Sequence, residues 1–216
     1  MKKRIMCFGD SNTWGYIPGD GHRYPETVRW TGILQDMLGD GWCIIEEGLN
    51  GRTTVFDKPF DECLNGLSGL GYALKSQKPL DCVVFLLGTN DLVNQEPRVI
   101  GLGMEKLVRT VLCADSIYTV TQPVFNDGPR ILLIAPVPFD ESVDSRSSQI
   151  CAASGKYKNS LLLKDIYEKI AEKYGIVFLD ASQYAQASDI DGIHLPPQAH
   201  MALGRAVYEK LLTMEL

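Results

Sequence analysis

The stretch Cys82-Val83-Val84-Phe85-Leu86-Leu87 is apolar at every position. A strand with one wet face alternates apolar and polar residues, so an unbroken apolar run of this length reads as a strand buried on both faces. Such strands sit at the centre of a parallel sheet covered by helices on either side. Four more short apolar runs, Arg4–Phe8, Trp42–Ile45, Arg130–Ala135 and Ile176–Leu179, read as its neighbours. Between them lie stretches of helical periodicity: Val28–Leu38 closed by Gly39, a weak one near Leu70–Gln77, Gly101–Val120, Ala152–Tyr174 and Pro197–Leu212. Strands alternating with helices predict right-handed crossovers and a three-layer α/β/α, flavodoxin-like domain around a five-stranded parallel sheet. The 216 residues suffice for one such domain with a full-sized core, so 1–216 is read as a single domain.

In a parallel sheet every strand's carboxyl end opens on the same edge, and ligands bind there. The loops expected at that edge are Gly9–Gly15, Gly48–Thr54, Gly88–Asp91, Pro136–Gln149 and Ser182–His194. Ser11, Asn50, Asn90, Asp191 and His194 all fall within them. The serine lies in Phe8-Gly9-Asp10-Ser11-Asn12-Thr13-Trp14-Gly15, just past the first strand. Its hydroxyl becomes a nucleophile only where a base takes its proton. His194 follows Asp191 at i+3, a spacing that brings a carboxylate to the imidazole Nδ1 and frees Nε2 as a proton acceptor. Asp189 is a rival orienting acid, and the spacing favours Asp191. The backbone amides of Ser11 and Gly51 and the side-chain amide of Asn90 are candidate donors to an oxyanion. Asp10 and Asp91 read as structural acceptors for loop amides. His200 reads as a surface or cap residue of the last helix, and His22 as a residue of an exposed loop. Taken singly, Gly-Asp-Ser and Gly-Thr-Asn-Asp are equally turns; their meeting on one edge is what points to chemistry.

Charge and composition remove several classes. With 27 acidic against 21 basic residues the chain carries −6, which speaks against a nucleic-acid or anionic-membrane surface. No apolar run approaches the roughly 20 residues of a membrane helix, and the basic start Met1-Lys2-Lys3-Arg4 lacks the features of a signal peptide. The six cysteines form no C-x-x-C pair and read as small core residues in a reducing, cytoplasmic chain. No cofactor or metal is expected.

Four blocks now line up in order: Gly9-Asp10-Ser11, Gly51, Gly88-Thr89-Asn90-Asp91 and Asp191-Gly192-Ile193-His194. Together they resemble the SGNH (GDSL-type) hydrolases over nearly the whole chain. The resemblance implies Ser11 as nucleophile, His194 as base, Asp191 as its orienter, and Ser11, Gly51 and Asn90 as the oxyanion hole. Cys7-Phe8-Gly9-Asp10-Ser11, Thr13-Trp14-Gly15, Val28-Arg29-Trp30-Thr31-Gly32, Glu46-Glu47-Gly48-Leu49 and Arg52-Thr53-Thr54 are similar to the arylesterase/acyltransferase branch. That likeness implies a small-molecule ester as substrate, short acyl groups, transfer to an alcohol in some members, and self-association in others. Asn12 stands where the leucine of G-D-S-L is usual, so Asn12 and Trp14 are expected on the pocket wall. Trp30 and Phe85 are read as core first and pocket second. The serine is not in G-x-S-x-G, since Thr13 occupies the second glycine's place, so the strained elbow of α/β-hydrolases is not indicated. Three rivals remain on the same fold: a non-catalytic binding module, a flavodoxin-like anion or cofactor binder, and a metal-assisted phosphatase using Asp10, Asn90 and His194. The esterase reading expects all the blocks to converge; a degenerate binder would lack one.

Overall fold

The apolar run at residues 82–86 forms the central strand β3 (Cys82–Leu86), buried along its whole length. Strand β1 (Lys3–Gly9) lies on one side of it and β4 (Ile131–Ala135) on the other. The edges are β2 (Trp42–Gly48) beside β1 and β5 (Val177–Asp180) beside β4. All pairings are parallel, in the order β2-β1-β3-β4-β5. This is the flavodoxin-like order, whose direction reverses between β1 and β3. The computed structural model describes residues 2–59, 61–118, 121–145 and 155–216.

Successive strand residues face opposite sides. Met6, Phe8, Val83, Phe85 and Leu133 pack on α3 (Gly66–Gln77), α4 (Pro97–Leu112) and α7 (Leu163–Tyr174). Ile5, Cys7, Val84, Leu132 and Ile134 pack on α2 (Trp30–Leu38) and α8 (Pro197–Leu212). Trp30 and Phe85 are fully buried core residues. Three short helices complete the described set: α1 (Ser11–Trp14), α5 (Ala114–Tyr118) and α6 (Lys156–Leu161). Among the described residues no helix is long and apolar enough to cross a membrane.

Element boundaries differ from expectation where tertiary partners override local signals. Helix α3 starts four residues early because the Asn65 side chain caps it, its Oδ1 accepting from the amides of Leu67 at 3.0 Å and Ser68 at 3.3 Å. Gly66, which weakened the sequence pattern, is needed there: a Cβ would collide with the Thr53 carbonyl. Strand β2 continues through Glu46 and Glu47, expected as loop, because Glu46 is held by arginines rather than by water. The helix expected over 101–120 begins at Pro97, breaks at Cys113 and resumes as α5; Val120 lies outside the described residues. The helix expected over 152–174 is divided at Leu162 into α6 and α7, and residues 152–154 lie outside the described set. The segment Pro136–Gln149 contains a 3-10 turn at Glu141–Ser145.

Candidate active site

The first strand does not run into a loose loop. Asp10 ends β1 and caps α1, its Oδ1 accepting from the Asn12 amide at 3.0 Å. Ser11 is therefore the first residue of a helical turn, and its backbone N–H has no intrahelical acceptor. Burial pushes the Asp10 carboxyl up to about 6, against the opposing pull of the Asn12 amide and His194. The carboxylate is turned inward, away from the cavity described below. It is a structural acceptor, and the phosphatase reading that needed it on a metal loses that ligand. Among the described residues no three His, Cys, Asp or Glu side chains gather as a metal site would require.

The loop after β5 turns back to Ser11. Asp191 Oδ1 accepts from the backbone amides of Ile193 and His194, each at 2.9 Å. That turn delivers Oδ2 to His194 Nδ1 at 2.7 Å. His194 Nε2 then lies 3.0 Å from Ser11 Oγ. A carboxylate accepting at Nδ1 keeps the neutral imidazole's proton on that nitrogen, so Nε2 is left as the acceptor for the serine hydroxyl. Burial alone would raise the Asp191 pKa, but the hydrogen bonds from His194 and Ile193 outweigh it and hold the carboxyl below the usual range. Ser11 and His194 are 4% and 8% exposed, so the pair is largely shielded from water yet reachable. Tyr16 stacks on the imidazole, ring centroids 4.1 Å apart and 27° from parallel.

The residues expected to donate to an oxyanion, Ser11, Gly51 and Asn90, line one cavity. Gly51, like Ser11, Asn90 and His194, lines a cavity of about 390 Å³. Its φ of 81° is a conformation that favours glycine and presents the peptide at a tight turn. The Asn90 Nδ2 donates to the Arg52 carbonyl at 3.0 Å, which fixes the amide plane and leaves its second N–H unused by that bond.

Arg52 holds this arrangement from beneath. Its buried guanidinium donates from Nη1 to the Gly9 carbonyl at 2.8 Å and to the Glu47 carbonyl, and lies 4.0 Å over the Phe8 ring. Desolvation pulls its pKa down to about 10. Asp91 accepts from the Thr54 amide at 2.9 and 3.1 Å and from the Thr54 hydroxyl at 2.6 Å. Burial raises its pKa and these bonds oppose the rise. The loops after β1, β2 and β3 are thus stitched to one another by side chains. A second network holds the segment bearing Tyr16. Arg29 forks onto Glu46 at 2.9 and 2.7 Å, Thr31 also donates to Glu46, and Arg23 joins at 3.2 Å. Burial would raise the Glu46 pKa, but Arg29 and Thr31 hold it below the ordinary range.

Several sequence expectations are corrected. Asn12 does not line the cavity: its Oδ1 accepts from the Leu195 amide at 3.1 Å, tying the histidine loop to α1. Trp14 also points elsewhere, beneath the Arg23 guanidinium at 5.4 Å. His200 is wholly buried rather than a surface residue, its Nδ1 accepting from the Trp30 amide at 3.3 Å. Desolvation pulls its pKa to about 4. As its spacing predicts, the acid that meets the His194 ring is Asp191. His22 is exposed and paired with Asp20. Tyr16, Lys58, Val93, Phe139 and Ile193 line the cavity without having been singled out. Ile193 stood inside the Asp191–His194 block and Tyr16 directly after the Phe8–Gly15 stretch; Phe139 belongs to the 136–149 segment, of which 146–149 lie outside the described residues.

Comparison with known proteins follows this geometry. Residues 7–202 match the model of the GDSL-like lipase/acylhydrolase family. The native aryl esterase of M. smegmatis superposes with a TM-score of 0.89 at 36% identity, covering 98% of this chain and 99% of that one. A carbohydrate acetylesterase from Sinorhizobium meliloti gives 0.86 at 38% identity, covering 98% and 99%. A carbohydrate acetylesterase family member from the same organism gives 0.87 at 33% identity, covering 97% of each chain. A search of curated proteins finds no match.

Proposed function

The chain belongs to the GDSL-like lipase/acylhydrolase family, and from that premise we propose that it is a serine esterase releasing short acyl groups through an acyl-serine intermediate. The observation that carries this is the unbroken relay Asp191 Oδ2–His194–Ser11 Oγ, at 2.7 and 3.0 Å, opening on a cavity of about 390 Å³. Ester-hydrolysing relatives of similar length support it.

As Ser11 Oγ attacks the ester carbonyl carbon, its proton passes to His194 Nε2. Asp191 stabilises the imidazolium that forms. The carbonyl π electrons move to oxygen, where the Ser11 and Gly51 amides and the free Asn90 N–H receive the charge. Collapse breaks the bond to the alkoxy oxygen, which leaves with the proton from Nε2. Water repeats the sequence on the acyl-serine, giving its proton to Nε2 while the acid departs and Ser11 regains its hydrogen. An alcohol in place of that water would give a new ester, so acyl transfer uses the same groups. The cavity size supports a short acyl chain, and its polar wall of Asn50, Thr89 and Asn90 is suited to hydroxyl-bearing substrates such as acetylated carbohydrate. Five cysteines among the described residues are free, which supports a reducing compartment.

The test is hydrolysis of nitrophenyl esters from acetate to octanoate by wild type and Ser11→Ala. Activity greatest on short chains and absent from the variant is expected. Equal activity, or equal inertness, of the two proteins would refute the nucleophile assignment.

A further inference from the structure

Of the described residues lining the cavity over Ser11, Lys58 is the one with a permanent charge. Its side chain is half-buried, and its backbone is fixed by a bridge to Asp61, whose amide donates to the Lys58 carbonyl at 3.2 Å. The neighbouring Asp57 is engaged by Asn65 Nδ2 at 2.8 Å. The ammonium stands beside the oxyanion donors: it is 3.8 Å from where a Cβ on Gly51 would lie. Among the described residues no carboxylate comes within salt-bridge distance of it. Its field reaches the buried Asp91, but that carboxylate is already satisfied by Thr54. Folded proteins pair part-buried charges, so a cation left without a counter-charge on a cavity wall is a position for an anionic ligand atom.

We propose that Lys58 is a specificity-determining residue that selects esters bearing a carboxylate or similar anionic group, its ammonium pairing with that group while the ester carbonyl lies against Gly51 and Asn90. This rests on the esterase reading above. In a chain of net charge −6, a cation in the cavity also offsets the field that would otherwise repel such a substrate.

Two matched pairs locate the anion. 4-Nitrophenyl hydrogen glutarate against 4-nitrophenyl valerate places it on the acyl side; 4-acetoxybenzoate against 4-acetoxybenzamide places it on the alcohol side. In at least one pair the wild type should prefer the anionic ester. The ratio of kcat/KM, anionic to neutral, should fall about tenfold in Lys58→Met, the worth of one charge-assisted hydrogen bond. It should fall further in Lys58→Glu, and wild-type preference should weaken in added salt. Ratios unchanged in both variants overturn the proposal, and if thermal stability falls as well, Lys58 serves the buried Asp91 instead. Equal losses on anionic and neutral esters also overturn it, assigning the charge to the oxyanion. Calorimetric binding of monomethyl glutarate separates this idea from the esterase reading. A wild type that binds it through Lys58 but turns over no ester keeps the anion site and loses the esterase. Turnover of neutral esters without a Lys58-dependent preference does the reverse.

Discussion

Replacing His200 by asparagine should flatten the acid branch of the stability profile. The imidazole is wholly buried, and among the described residues its only hydrogen bond is accepted at Nδ1 from the Trp30 amide. Desolvation, with Arg29 and His194 adding to it, pulls its pKa to about 4. In the unfolded chain a histidine titrates near 6.5. The unfolded state therefore binds more protons between those values, so native stability is full above about 6.5 and is lost as pH falls toward 4. At pH 4.5 the difference between the two titrations amounts to roughly 2.5 kcal/mol, taking about 1.36 kcal/mol per pKa unit. Asparagine Oδ1 can stand near the Nδ1 position and keep the bond to Trp30, while losing the titration. The smaller side chain lowers stability at every pH, so the readout is the change between pH 7.5 and 4.5 rather than the absolute value. Urea unfolding followed by tryptophan fluorescence at four pH values gives it. Wild type should lose about 2.5 kcal/mol more than the variant over that interval. Parallel profiles would show that His200 is hydrated in solution and refute its burial.

Asn90→Ala should reduce kcat by about 10²–10³ with the fold intact, since one oxyanion donor is removed; a loss confined to KM would assign Asn90 to ground-state binding. Asp191→Asn should cost about 10⁴ in kcat, because the amide cannot hold the imidazole in the required tautomer; steady-state kinetics on nitrophenyl acetate checks it, and full activity would point to another orienting acid. Arg29→Met should destabilise by about 3 kcal/mol, leaving Glu46 part-buried without its main partner. Because the Glu46 pKa is depressed in the native state, its stabilisation is present above the ordinary carboxylate range and fades as pH drops through the folded value. The variant's deficit should therefore shrink on acidification, and a deficit constant with pH would mean that packing, not charge, is what Arg29 supplies.

The layout of the fold was legible because burial on both faces leaves a direct mark on strand composition. Cys82–Leu86 is apolar throughout and is the middle strand. The convergence of Ser11, Gly51, Asn90 and His194 followed from topology alone: a parallel sheet brings every βα loop to one edge, and the Asp191–His194 contact spans a single turn. What escaped were contacts that depend on partners remote in sequence. His200 sits in a helix whose first turn gave no sign that Trp30, 170 residues away, would cover it. Tyr16 and Lys58 reach the cavity from segments without regular periodicity. Glu46 and Glu47 read as loop because two acids in a strand edge make sense only once Arg29 is placed against Glu46 and Gln77 against Glu47.

The competition between turn and active site also dissolves in the structure. Gly-Asp-Ser is a turn: Asp10 caps α1, and that cap is what leaves the Ser11 amide unpaired at the start of a helix. Gly-Thr-Asn-Asp is a turn as well, and Asp91 uses it to grip Thr54 while Asn90 grips the Arg52 carbonyl. Arg52 in turn holds the Gly9 carbonyl, one residue before the Asp10 cap. The same polar side chains thus close the loops on one another around Ser11. A hydrogen bond lost from this ring leaves a buried partner unsatisfied, at a cost of about 1–3 kcal/mol, and shifts the loops that carry the site. Substitutions at Thr54 or Asp91, neither of which lines the cavity, should therefore lower stability and turnover together. Substitutions at Asn90, which lines the cavity, should affect turnover far more than stability. The ratio of the two effects separates residues that build the edge from residues that act on what binds there.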